Sequence, residues 1–68
     1  MKIRLIKYTT YKCGRIQKAI IAFLMKHNRV FFCDTLVEFK RKVDVKVDFY
    51  HFVGALKYLQ RRLVVVIE

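Results

Sequence analysis

The stretch Val43-Asp44-Val45-Lys46-Val47-Asp48-Phe49-Tyr50 decides how the chain is read. Val43, Val45, Val47 and Phe49 alternate with Asp44, Lys46 and Asp48, which is the period of a half-buried strand. The same residues also suit a helix end, a short connection and a new helix start. Asp48 is a good N-cap, and Val47 is placed to pack on Phe52 as a hydrophobic staple. On the strand reading, Val30–Phe39 and Val43–Tyr50 form a hairpin and the chain runs strand, helix, strand, strand, helix, strand. Its turn would be Lys40-Arg41-Lys42, which holds no Gly, Asn or Asp to take a positive φ. On the helical reading, Thr35 and Glu38 form a capping box and open a second helix that buries Leu36, Phe39 and Val43. A third helix then spans Phe49–Arg62. The turn chemistry favours the helical reading.

Working outward, Phe49, Phe52, Leu56, Leu59 and Leu63 form the buried stripe of the third helix, and the β-branched run Leu63–Ile67 reads as a closing strand. Toward the N-terminus, Val30–Phe32 reads as a short strand. Arg15–His27 is a helix with Ile16, Ala19, Ile20, Phe23, Leu24 and His27 on one stripe. Ile21 and Met25 project from its other side, so this helix needs a second packing partner. The N-terminal strand is the plainer choice, and a homodimer through Ile21, Met25 or the strand 63–67 is the other. Lys2–Tyr8, with Ile3 and Leu5 between charges, reads as a half-buried or edge strand whose lysines discourage edge pairing. Thr9–Gly14 has turn character.

The whole chain is 68 residues, 56% hydrophobic, with fifteen Lys and Arg against five acids and a formal charge of +10. That length supports one domain, 1–68, with a small core and no room for a deep cleft. The cations run from Lys2 to Arg62, so the positive field belongs to the folded body and suits a polyanion. Ala19–Met25, the longest charge-free apolar stretch, is far short of the roughly 20 residues of a membrane helix. With no apolar leader near Met1 either, a cytoplasmic, nucleoid- or ribosome-associated protein is expected. Cys13 and Cys33 read as buried thiols, with a Cys13–Cys33 disulfide as the alternative if the source is a hyperthermophile. A metal site from Cys13, His27, Cys33 and His51 matches no structural zinc spacing, and no metal or other cofactor is expected. The lack of Pro and Ser, with abundant Ile, Val, Lys and Arg, hints at a thermophilic source.

On the third helix, Tyr50, Gly54, Lys57 and Arg61 lie opposite the buried stripe, with His51, Tyr58 and Arg62 beside them. Arg and Lys reach phosphates or base edges and Tyr hydroxyls bond phosphates, so this face suits a helix laid in a groove. Gly54, which weakens a helix interior, suggests close approach of a ligand to the backbone. No enzyme is expected. Three of the five acids have cap or turn roles, neither His51 nor Cys33 has a catalytic partner, and Gly14 and Gly54 cannot form a phosphate loop.

The order of elements, and above all Phe52-Val53-Gly54-Ala55-Leu56-Lys57-Tyr58-Leu59-Gln60-Arg61-Arg62-Leu63-Val64, resembles the winged helix-turn-helix family, in small forms like those of archaea and their viruses. The resemblance covers roughly Arg15–Glu68. It implies an α+β, mainly helical fold of three helices with a small, truncated wing sheet. It further implies that Tyr50, Lys57, Tyr58 and Arg61 face the major groove, while Lys40, Arg41, Lys42 and Lys46 meet phosphates around the turn. Two departures stand out. The usual Gly between the Arg pair and the wing strand is missing, and no second wing strand follows, so the wing is cut short or completed by Lys2–Tyr8. The alternative strand order is that of a ferredoxin-like βαββαβ fold, which hosts many RNA-binding proteins. The leading expectation is a transcription regulator on duplex DNA, dimeric because one small domain offers little interface. A structural subunit bound to folded RNA comes second. A protein-interaction module using Ile21, Met25 and the last strand comes third.

Overall fold

Val43–Tyr50 bends where the alternating pattern suggested extension. The computed structural model describes all of residues 1–68, in the order β1 (Lys2–Leu5), α1 (Arg15–Lys26), β2 (Val30–Phe32), α2 (Leu36–Val43), α3 (Phe49–Arg61) and β3 (Val65–Ile67). Asp44 ends α2 in the left-handed conformation, φ 62°, with its N–H donating to the Lys40 carbonyl. The Val47 N–H donates to the Val45 carbonyl at 3.1 Å, and the Asp48 carboxylate then accepts from the His51 N–H at 2.8 Å to start α3. Val43, Val45 and Val47 are each half-buried against the core while Asp44, Lys46 and Asp48 are exposed. The alternation is therefore a true burial pattern, produced by a helix end and a tight turn. With α2 in place of a strand, the ferredoxin-like alternative is corrected.

The capping box at α2 forms as its residue types dictate. Thr35 Oγ1 accepts from the Glu38 N–H at 3.1 Å, and Glu38 Oε1 accepts from the Asp34 N–H at 3.0 Å. Phe39 and Phe52, both fully buried, meet edge to face at 5.7 Å and lock α2 against α3.

The three strands form one antiparallel sheet in the order β2-β1-β3, with Ile3 opposite both Phe31 and Ile67, and Leu5 opposite Val65. β1 is thus the central strand, half-buried as one of the two expected readings had it and not an edge strand, and shorter than the expected Lys2–Tyr8. It ends at Leu5, although the Ile6 N–H still donates to the Val64 carbonyl at 2.7 Å. Ile3 and Leu5 enter the core. Lys2 and Arg4 stand on the other face, where both meet Glu68, at 3.5 and 2.6 Å.

α1 packs on β1, β2, α2 and α3. This explains its two apolar sides: Ile20, Ile21 and Leu24 are all buried inside the chain. Ile21 is consequently unavailable to a second copy, whereas Met25 is exposed. His27 was expected in the buried stripe but is exposed, its ring stacked 4.3 Å from Phe23.

Two residues assigned to the buried stripe of α3 are exposed as well, Phe49 at 42% and Leu63 at 68%. Leu63 falls past the helix end. The Val64 N–H donates to the Leu59 carbonyl and the Leu63 N–H to the Gln60 carbonyl, a Schellman closure with Leu63 at the left-handed position, φ 58°. That geometry turns the Leu63 side chain off the core and delays β3 to Val65. A β-carbon in this conformation costs about 1–2 kcal/mol.

Cys13 and Cys33 are free thiols, Cys33 buried but Cys13 only half-buried against the expectation for both, and no three His, Cys, Asp or Glu side chains come together as metal ligands. Burial, reinforced by the nearby Glu38 charge, pushes the Cys33 thiol up. No helix is long and apolar enough to cross a membrane.

Candidate nucleic-acid interface

The orientation of α3 is fixed from below. Phe52, Leu56 and Leu59 are at most 1% exposed, so residues on the opposite side of the helix must face solvent. Tyr50 is 80% exposed, and Gly54, Lys57 and Arg61 are exposed on the same stripe. From Tyr50 to Arg61 the stripe is roughly 16 Å long.

An open groove of about 750 Å³ runs along this stripe. Ile16 and Gln17, from the first turn of α1, form one wall, while Tyr50, Val53, Lys57 and Arg61 contribute from α3. No acidic residue lines it. Gly54 lies within the groove, and a β-carbon placed there would meet nothing within 4 Å. The glycine is therefore not demanded by any intramolecular neighbour, yet it costs the helix about 1 kcal/mol relative to Ala.

Tyr58 and Arg62 are used differently from Lys57 and Arg61. The Tyr58 hydroxyl donates to the Lys12 carbonyl at 2.7 Å, and the Arg62 guanidinium donates to the Tyr11 carbonyl at 2.7 Å while lying over the Tyr58 ring. Together they clamp the Ile6–Gly14 loop against the C-terminal half of α3. This holds Tyr11, 69% exposed, and Lys12 beside Tyr58 and Arg62, where sequence reasoning had placed only a turn.

At the other end of α3, His51 Nδ1 lies 2.6 Å from Asp48 Oδ1. The His51 backbone N–H and then its ring hold the Asp48 carboxyl below the usual range. His51 is thereby tied to the helix cap. Lys40, Arg41 and Lys42 occupy the last turn of α2, where cations complement the helix dipole, and Lys46 follows in the connection. Arg41, Lys42 and Lys46 are exposed and Lys40 is half-buried, on the end of α2 and the connection that leads into α3, and none of the four lines the groove.

The geometry thus joins Tyr50, Gly54, Lys57 and Arg61 in one exposed stripe; His51 and Tyr58 also line the groove while holding internal bonds, and Arg62 is bonded to the loop. Sequence reasoning missed Ile16 and Gln17 as a wall, because Ile16 reads as core and its distance from α3 depends on tertiary packing. No family model, curated protein or solved structure matches the chain.

Proposed function

We propose that the protein binds duplex DNA without catalysing a reaction, laying α3 in the major groove as a transcription regulator does. The observation that carries this reading is the exposed Tyr50-Gly54-Lys57-Arg61 stripe, cationic, lined by no acid and set on a buried Phe52-Leu56-Leu59 root. A major groove about 12 Å wide admits a helix with such side chains, and the cations at the end of α2 and in the connection before α3 suit phosphates.

The winged-helix reading gains support from the sheet. From α1 to β3 the order is helix, strand, helix, turn, helix, strand, and β1 supplies the strand that a second wing strand would provide, lying between β2 and β3. The missing glycine after the Arg pair is also accounted for, because Leu63 itself takes the left-handed conformation there. Dimerisation would use the unpaired outer edge of β3 or the exposed Met25.

Duplex affinity measured against salt tests the reading. Lys57→Ala and Arg61→Ala should each weaken binding, and each cation that neutralises a phosphate should take about 0.9 off the log–log slope when it is removed. Unchanged affinity and slope in both variants would refute it. A second reading, structured RNA, is favoured by one observation: Phe32 is 68% exposed on the outer sheet face beside Lys2, as a base-stacking aromatic would be. Loss of RNA binding in Phe32→Ala, with no measurable duplex-DNA binding, would establish it instead.

A further inference from the structure

We infer that the empty position at Gly54 receives the 5-methyl group of a thymine, making this glycine the specificity-determining residue of the α3 face. The inference rests on the duplex-DNA reading and adds to it the base that is recognised.

Nothing in the protein comes within 4 Å of a β-carbon at Gly54, so the backbone is bare at the middle of an otherwise side-chain-covered stripe. Tyr50 stands one turn before the gap and Lys57 about one turn after it, both exposed. Val53 and the α1 residue Ile16 supply apolar surface in the same groove. The result is an open hollow with apolar surface to one side and a polar, cationic rim that includes Gln17, Tyr50, Lys57 and Arg61. With no Asp or Glu along the groove to repel it, a polyanion can approach the hollow closely.

A ligand for such a hollow must be anionic overall and present one small apolar group at its surface. In the major groove of DNA, the thymine methyl is that group; the other base-edge features are hydrogen-bond donors and acceptors. The glycine itself offers a polar base edge no side-chain partner, whereas a methyl group there gains contact with the neighbouring apolar surface. Lys57 and Arg61, beyond the hollow on the same stripe, are then placed for guanine edges or phosphates on the following base pairs. A β-carbon at this position would take up part of the space assigned to the methyl group, so Gly54→Ala changes the approach of the base. A groove of RNA lacks this methyl, so the same hollow discriminates against uracil.

The test starts from duplexes selected by the wild-type protein out of a random-sequence pool. Each thymine of the selected site is then replaced by uracil, one position at a time, and affinity is measured by titration. The inference predicts one thymine per bound copy whose replacement weakens binding about fourfold, the effect of losing one buried methyl-sized group. Gly54→Ala should bind the thymine site more weakly than wild type and should no longer distinguish thymine from uracil there, while its melting temperature rises. Two results would overturn the inference and leave the DNA reading standing. One is equal affinity for thymine and uracil at every position with Lys57→Ala and Arg61→Ala still impaired. The other is a Gly54→Ala protein that keeps both wild-type affinity and thymine preference. Absence of any duplex binding at low salt would instead remove the DNA reading and this inference with it.

Discussion

The outward face of α3 and the outer face of the sheet both carry cations beside an exposed aromatic residue, but they differ in how the charge is used. On the sheet, Lys2 and Arg4 converge on Glu68, and the Arg4 guanidinium chiefly holds the Glu68 carboxyl below its usual range. On α3, Lys57 and Arg61 have no acidic partner, and the groove beside them is lined by no acid. A formal charge of +10 is therefore a poor guide to a binding surface until the internally neutralised cations are set aside. Setting aside Lys2 and Arg4 leaves thirteen of the fifteen Lys and Arg without an acidic partner, and among them Lys57 and Arg61 stand out by lining an acid-free groove.

The largest way to break this contrast is to remove the root that orients α3. Phe52→Ala should cost about 3–5 kcal/mol, read by chemical denaturation, and should abolish the stripe by loosening the helix. Restricting the change to the stripe comes next. The double variant Lys57→Ala/Arg61→Ala should weaken duplex affinity by about 1–3 kcal/mol for each base edge it no longer bonds, at unchanged thermal stability.

Leu63→Gly probes the join between α3 and β3. Relieving a left-handed leucine should raise stability by about 1 kcal/mol, after offsetting the extra freedom of glycine in the unfolded chain, and a melting curve reads it directly. A fall in stability would show that the exposed Leu63 side chain has a stabilising role of its own.

The smallest effect concerns the neutralised face. Asp48 and Glu68 both have lowered folded-state pKa values, from the His51 and Arg4 hydrogen bonds respectively. Each therefore contributes stability above the ordinary carboxylate range, and that contribution is lost as pH falls from about 4 through the folded values. Glu68→Gln should flatten part of this acid-side decline. It should also release Lys2 and Arg4, giving the sheet face a slight gain in low-salt affinity for any polyanion.

Local chemistry was legible and tertiary use was not. The Thr35–Glu38 box, the Asp48 cap and the Tyr50-Gly54-Lys57-Arg61 stripe depend on spacings within a few residues, and each appears where those spacings place it. The central position of β1 depends on pairing with strands about 30 and 60 residues away, which alternation in Lys2–Tyr8 cannot encode. Ile21 looked surplus to one helical stripe because α1 is enclosed by four other elements. The internal bonds of Tyr58 and Arg62 were not legible because their acceptors are backbone carbonyls of a loop 46 and 51 residues earlier. Leu63 continued a helical pattern that the Schellman closure had already ended.

The most direct measurement is the salt dependence of duplex-DNA affinity for three proteins: wild type, Lys57→Ala/Arg61→Ala and Lys2→Ala/Arg4→Ala. If α3 is the working surface, the α3 double variant binds more weakly and its slope falls, by about 0.9 for each phosphate it no longer neutralises, while the sheet double variant keeps the wild-type slope. Equal slopes for wild type and the α3 variant, with the weakening confined to the sheet variant, would contradict the assignment of the interface to α3.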